Sequence, residues 1–237
     1  MEHHGKNLNV QTKSGELDLV TEADKAAESC VVEALEQYFP SDGILAEEGS
    51  RREGSSGFRW IIDPLDGTTN FAHAMPHFAV SIGLTYENEV VAGVVFDPFK
   101  NEFFEAYLGR GAKLNGKPIR VSKQARLVQA LCATGFSYDR RERMDDLLNR
   151  VRAILTHCQG MRRLGSAALD MAYVAAGRFD IFVEDGLNAW DVAGGHLLVK
   201  EAGGVITNFD GSPHLLESGQ VVACNADLLP LVHEWLV

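Results

Sequence analysis

Three observations predict a mixed α/β (α+β) fold in two halves. Up to about residue 125, strand-like runs are separated by short turns, as in an antiparallel meander. Beyond it, strands alternate with amphipathic helical stripes. Across the 237 residues, 46% are hydrophobic, enough for one large unit or two closely packed halves. A soft boundary near residue 125 separates an N-terminal half (1–125) from a C-terminal half (126–237), with no disordered linker.

The elements follow in order. Asp18-Leu-Val-Thr-Glu-Ala-Asp24 leads into a helix over 25–39, where Ala27, Cys30, Val31, Ala34, Leu35 and Tyr38 form an apolar stripe. Thr21 is its N-cap, with Asp24 three positions on. Pro40-Ser-Asp-Gly43 ends it. Ile44-Leu45-Ala46 is a short strand running into Glu47-Glu48-Gly49, and residues 51–57 are a polar, Gly/Ser-rich loop that reads as mobile. Residues 78–86 and 90–97 read as a hairpin, and 102–108 as a third strand. In the second half, strands are expected at 130–135, 179–183, 205–208 and 221–224. Helices are expected at 144–158, 166–176, 191–202 and 226–236.

Charge and composition narrow the function. The formal net charge is −11, and no basic tract offsets it, which argues against nucleic acid as a partner. No apolar run approaches the ~20 residues of a membrane span. The start, Met-Glu-His-His-Gly-Lys, is no signal peptide. Cys30, Cys132, Cys158 and Cys224 form no C-x-x-C pair and read as reduced thiols of a cytoplasmic protein.

The most informative stretch is Trp60-Ile-Ile-Asp-Pro-Leu-Asp-Gly-Thr-Thr-Asn-Phe71. An apolar strand stops where Pro64 and Gly67 force a sharp turn, with Asp63 and Asp66 inside it. Thr68 and Thr69 then supply hydroxyls and backbone N–H groups at a helix start. Carboxylates also sit at Asp24, at Glu47-Glu48, and at Trp190-Asp191, which opens the helix ending in Glu201-Ala-Gly-Gly204. Each stands at the end of an element, where side chains can converge. Hard oxygen ligands beside anion-binding donors point to Mg²⁺ and phosphate. An acidic chain repels a phosphate ester unless cations intervene. His73 and His77 are four apart, but Pro76 between them argues against a helical metal pair.

These three signatures, in this order, resemble those of the inositol monophosphatase family of Mg²⁺-dependent, lithium-sensitive phosphatases, over nearly the whole chain. The resemblance implies a layered αβαβα sandwich of the sugar-phosphatase kind, with the site between an antiparallel-sheet half and a mixed-sheet half. It implies two to three Mg²⁺ ions. Glu47, Asp63 and the Leu65 carbonyl would bind the first; Asp63, Asp66 and Asp191 would bind the second. A third, weaker ion would lie near Glu47, with Glu48 acting through water. Thr68, paired with Asp24, would orient the attacking water, and the N–H groups of Gly67, Thr68 and Thr69 would hold phosphate. Glu184 would meet sugar hydroxyls, Gly165, Ser166 and Ala167 would line the pocket, and Lys13 would reach in from a flexible loop. A homodimer is implied as well.

The reading is hydrolysis of a small phosphomonoester, myo-inositol 1-phosphate first. Fructose-1,6-bisphosphate and histidinol phosphate are the alternatives, and a binding role with the transcription or ribosome machinery is the non-enzymatic one. The family's usual first helix is expected to be missing before Lys13. Residues 1–12 are then expected to be rearranged, and an apolar face near residues 25–39 uncovered.

Overall fold

The computed structural model describes Gln11–Thr12 and residues 19–236. The expectations placed on Lys13, on Asp18 and on residues 1–10 lie outside the described residues. In chain order the elements are β1 (Gln11–Thr12), β2 (Leu19–Val20), α1 (Glu22–Tyr38), β3 (Gly43–Ala46), β4 (Arg51–Arg52), β5 (Phe58–Asp66), α2 (Thr68–Ala72), β6 (Ala79–Tyr86), β7 (Glu89–Asp97), β8 (Glu102–Tyr107), β9 (Ala112–Leu114) and β10 (Lys117–Pro118). They continue with β11 (Leu131–Thr134), α3 (Met144–His157), β12 (Gly160–Arg162), α4 (Ala167–Ala175), β13 (Ile181–Asp185), α5 (Ala189–Glu201), β14 (Val205–Thr207), β15 (Gln220–Cys224) and α6 (Leu229–Leu236).

The first large sheet has the order β10-β9-β8-β7-β6-β5-β3-β4. It is antiparallel as expected, except that β3 runs parallel to β5. The exception arises in residues 51–57, which are not the loose loop their composition suggests. Arg51 and Arg52 add an edge strand to β3. Buried Asp42 then gathers the segment, accepting from Ser56 Oγ at 2.7 Å and from Trp60 Nε1 at 2.9 Å. The second sheet, β12-β11-β13-β15-β14, is mixed: β11 is parallel to both neighbours, and the remaining pairs are antiparallel.

Helices α4 and α5 lie between the sheets, α1 lies outside the first, and α3 with α6 outside the second, giving five αβαβα layers. Phe104, Leu169, Met171, Phe182 and Leu197 fill the middle. Ile154, Ile181, Leu228 and Val232 fill the outer core of the second sheet. No helix among the described residues is long and apolar enough to cross a membrane.

Two packing details place the site. First, α5 sits unusually close to its sheet. A Cβ on Gly93 would fall 2.4 Å from the Gly194 carbonyl, and one on Gly194 would fall 2.6 Å from Ser81 Oγ. This seat brings the first turn of α5 to the end of β5. Second, the inward face of α1 is rotated from the apolar stripe. Ala23, Asp24, Glu28 and Leu35 are buried, while Cys30, Ala34 and Tyr38 are exposed. Asp24 and Glu28 turn inward because each is a hydrogen-bond acceptor for a distant loop.

Candidate active site

Strand β5 widens at its end: the register with β6 shifts between Asp63 and Asp66. The bulge puts both carboxylates on the same side of the turn. Asp63 Oδ1 accepts from Leu65 N at 2.9 Å, closing the Pro64 turn. Gly67 follows at φ 94°, a left-handed conformation open to glycine, and its Cβ position is crowded by the His77 and Gly165 carbonyls. Thr68 and Thr69 then begin α2, where N–H groups have no partner within the helix.

Asp24 joins this turn from α1. Its Oδ2 accepts from Thr21 N at 2.8 Å, completing the capping box, and its Oδ1 lies 3.0 Å from Thr68 Oγ1. The same hydroxyl lies 3.1 Å from the Leu65 carbonyl. Glu28, one turn along, accepts from Glu48 N at 2.7 Å and Ser50 N at 2.9 Å, fixing the Glu47–Gly49 turn.

The second half closes the site. Asp66 Oδ2 accepts from Ser166 Oγ at 2.5 Å and Ala168 N at 2.8 Å, at the N-terminus of α4. Asp191 is the third residue of α5 and accepts from Asn188 N at 2.6 Å. Asn70 ties the halves, donating to the His77 and Leu164 carbonyls at 2.8 Å. Around this junction lies a cleft of about 290 Å³. Glu47, Asp66, Gly67, Thr68 and Thr69 line one side. Gly165, Ser166, Ala167, Glu184 and Asp191 line the other, with Arg140 and Arg163 at the rim.

Not every expected group lines the cleft. Glu48 does not; Asp24 and Asp63 stand behind it. His73 and His77 stay out of it, His77 being packed against the Tyr173 ring. Glu201, at the other end of the helix that Asp191 opens, is turned away. It lies ~15 Å along α5 from Asp191 and accepts from Gly109 N at 2.8 Å and Gly111 N at 2.6 Å.

The charges explain what the cleft is suited to hold. Burial, then Glu47, Asp66 and Asp191, push the Asp63 carboxyl well above the usual range. Burial likewise pushes Asp66 up to about 6 and Asp191 up to about 8. Burial also pushes Glu184 up to about 8, against the pull of Arg163. Carboxylates gathered without a cation repel one another and resist ionisation. A hard divalent cation is the counter-charge that fits an all-oxygen set of this kind. Among the described residues, no three of these groups are already drawn into a tight ligand sphere.

Sequence reasoning missed three contributors. Glu28, Asn70 and Asp170 carry no role in the sequence reading, although Asn70 lies within the Trp60–Phe71 stretch. Asp170 on α4 is buried, with Oδ1 unpartnered, beside Glu184 and Asp66. A polar residue at an apolar helical position was the available signal for Asp170.

Comparison with known proteins shows the family and the fold. The model of the "Inositol monophosphatase family" matches residues 1–237. "Nus factor SuhB" of Pseudomonas aeruginosa is 49% identical over 213 residues, covering 88% of this chain and 79% of that protein. "Inositol-1-monophosphatase" of Synechocystis sp. is 46% identical over 226 residues, covering 94% and 78%. Among solved structures, extragenic suppressor protein suhB from Bartonella henselae superposes with a TM-score of 0.93 at 41% identity, covering 97% of this chain and 88% of that one. Thermotoga maritima IMPase superposes at 0.90 with 38% identity, covering 99% and 89%.

Proposed function

Because the chain belongs to the inositol monophosphatase family, we propose that it hydrolyses a small phosphomonoester with Mg²⁺, myo-inositol 1-phosphate being the leading substrate. One observation carries the reading. Glu47, Asp66 and Asp191 line the cleft and act on Asp63 behind it, beside the Thr68–Asp24 pair.

Glu47, Asp63, Asp66, Asp191 and the Leu65 carbonyl are the groups that would hold Mg²⁺. When bound, Mg²⁺ lowers the pKa of water in the site and neutralises phosphate charge. The chain's own groups do the positioning. Thr68 Oγ1 donates to Asp24 Oδ1, so its oxygen lone pair is free to accept a hydrogen bond from the attacking water and orient it. The N–H groups of Gly67, Thr68 and Thr69 face the phosphate oxygens. Glu184 accepts from hydroxyls of the alcohol portion, and Gly165, Ser166 and Ala167 form the floor beneath it. Glu48 supports the turn at Glu47. A cytoplasmic homodimer belongs to the same reading.

The test is phosphate release from a panel of esters with Mg²⁺. The highest kcat/KM is expected for myo-inositol 1-phosphate, ahead of fructose-1,6-bisphosphate and histidinol phosphate. Another ester ranking first overturns the substrate, and no hydrolysis of any ester overturns the activity.

The relatives named "Nus factor SuhB" support a second reading, a binding role in transcription alongside catalysis. An Asp191→Asn variant that loses turnover but keeps all cellular function would favour it.

A further inference from the structure

Asp185 takes no part in the chemistry above, yet it meets two arginines beside the cleft. Its neighbour Glu184 lines the cleft from the end of β13, and strand alternation sends Asp185 to the opposite face. There Arg150 of α3 meets it with two parallel bonds, Nη1 to Oδ1 at 2.9 Å and Nη2 to Oδ2 at 2.8 Å. Arg143, the N-cap residue of α3, adds Nη2 to Oδ2 at 2.5 Å. Asp185 and Arg150 are almost wholly buried. Burial alone would push the Asp185 carboxyl up; Arg150 and then Arg143 outweigh it and hold the group below the usual range.

Arg143 stands at the foot of residues 135–143, which form turns rather than helix or strand. This segment supplies Gly135, Phe136, Ser137, Tyr138 and Arg140 to the cleft. Within it, Arg140 N and Nη1 both donate to the Ser137 carbonyl, at 3.2 and 3.3 Å. Against β13 it is tight. A Cβ on Gly135 would lie within 2.1 Å of the Glu184 carboxylate, and one on Gly186 would lie 2.4 Å from Ser137 Cβ. On the cleft side, Arg163 lies over the Phe136 ring at 5.3 Å. The lip and the Glu184 turn therefore form one wall, pinned from behind by Asp185. Two other carboxylates, Asp139 at 3.7 Å and Asp146 at 3.8 Å, also reach Arg143, but both are half-exposed or more. Asp185 is buried and is the one of the three within hydrogen-bond reach of Arg143, so it sets the direction of that guanidinium.

We propose that Asp185, Arg143 and Arg150 form a clamp that holds the 135–143 lip against Glu184, making Asp185 and Arg143 positioning residues that set selectivity for a hydroxylated substrate body. The proposal rests on the phosphomonoesterase reading for its kinetic consequence, and on geometry alone for the clamp.

Arg143→Gln is the variant of choice, since it unfastens the lip and keeps the buried Arg150–Asp185 pair. The KM for myo-inositol 1-phosphate should rise roughly tenfold, the scale of lost positioning, while kcat stays within about twofold. For p-nitrophenyl phosphate, which has no ring hydroxyls, KM should stay within about twofold as well. Amide hydrogen exchange in residues 135–143 should speed up about tenfold, with α4 and β13 unchanged. Equal KM increases for both esters, or unchanged exchange in the lip, overturn the proposal. If wild-type protein hydrolyses neither ester, the phosphatase reading falls, and the exchange experiment alone decides the clamp.

Discussion

Replacing Gly194 by alanine tests whether the seat of α5 sets the site. The new Cβ would fall 2.6 Å from Ser81 Oγ and from the Val94 carbonyl, and 3.2 Å from Ile82 N. Two of these neighbours are backbone atoms of the sheet and cannot step aside. Ordinary contact begins near 3.4 Å, so α5 must retreat by roughly 0.8 Å to relieve the overlap. Overpacking of this kind costs about 1–3 kcal/mol. Alanine's higher helix propensity returns about 1 kcal/mol. The net loss of ~0–2 kcal/mol lowers the melting temperature by no more than about 8 °C in a chain of this size. The effect on turnover is larger. Asp191 lies one helical turn upstream and moves with α5, and a displacement near 1 Å can cost about 10²-fold. Gly194→Ala should therefore fold and lose roughly 10- to 100-fold in kcat for Mg²⁺-dependent phosphate release. Wild-type turnover together with a lowered melting temperature would refute the link between seat and site.

Four further outcomes are expected. Thr68→Ala should lower kcat at saturating Mg²⁺ by about 10²-fold, with Mg²⁺ affinity by titration calorimetry kept; the reverse pattern would remove Thr68 from water orientation. Glu184→Gln should lower kcat/KM more for myo-inositol 1-phosphate than for p-nitrophenyl phosphate, because the amide replaces one carboxyl oxygen by an NH2 that cannot accept from a hydroxyl; equal losses would mean that Glu184 reads no hydroxyl. His196 and His214 lie buried with Nδ1 atoms 3.2 Å apart, and burial holds them down at about 3 and about 4, with His214 adding to the effect on His196. Their folded values lie below the unfolded value near 6.5, so stability is fully present above pH 6.5 and is lost as pH falls toward 4; at pH 5 each group costs ~2 kcal/mol. Melting curves at pH 7.5 and 5.0 should show a drop that shrinks in a His196→Leu/His214→Leu double variant. Chelation should lower the melting temperature and Mg²⁺ restore it, by about 2.7 kcal/mol at a hundredfold excess over Kd; an unchanged melt would argue against a cation bound in the folded state.

What the sequence revealed depended on how locally each feature is encoded. The cap at Thr21, the turn after β5 and the α/β alternation of the second half are written in neighbouring residues, and the structure has them. The hairpin between β6 and β7 likewise turns on Glu87 and Asn88, both at positive φ. The inward face of α1 could not be found this way, because Asp24 and Glu28 are buried for partners 44 and 20 residues away. The same holds for Asp42, which turns a Gly/Ser-rich stretch into an ordered edge. Strand β12 has three residues, too few for a period to show. Glu201, which ends the helix that Asp191 opens, has a role that its local sequence does not encode. It secures a turn at the far end of the layer that Asp191 opens.

The bond from Ser166 to Asp66 spans 100 residues of chain, and Asp24 meets Thr68 across 44. No short fragment contains such a junction. Long-range pairings close late, since the entropy of the intervening loop must be overcome before the contact rewards it. On the proposed phosphatase reading, catalytic competence is therefore a report on the whole fold rather than on any part of it. In refolding from denaturant, secondary structure and compaction should return first. Phosphate release should lag behind them, appearing only when the last strands of both sheets are in register.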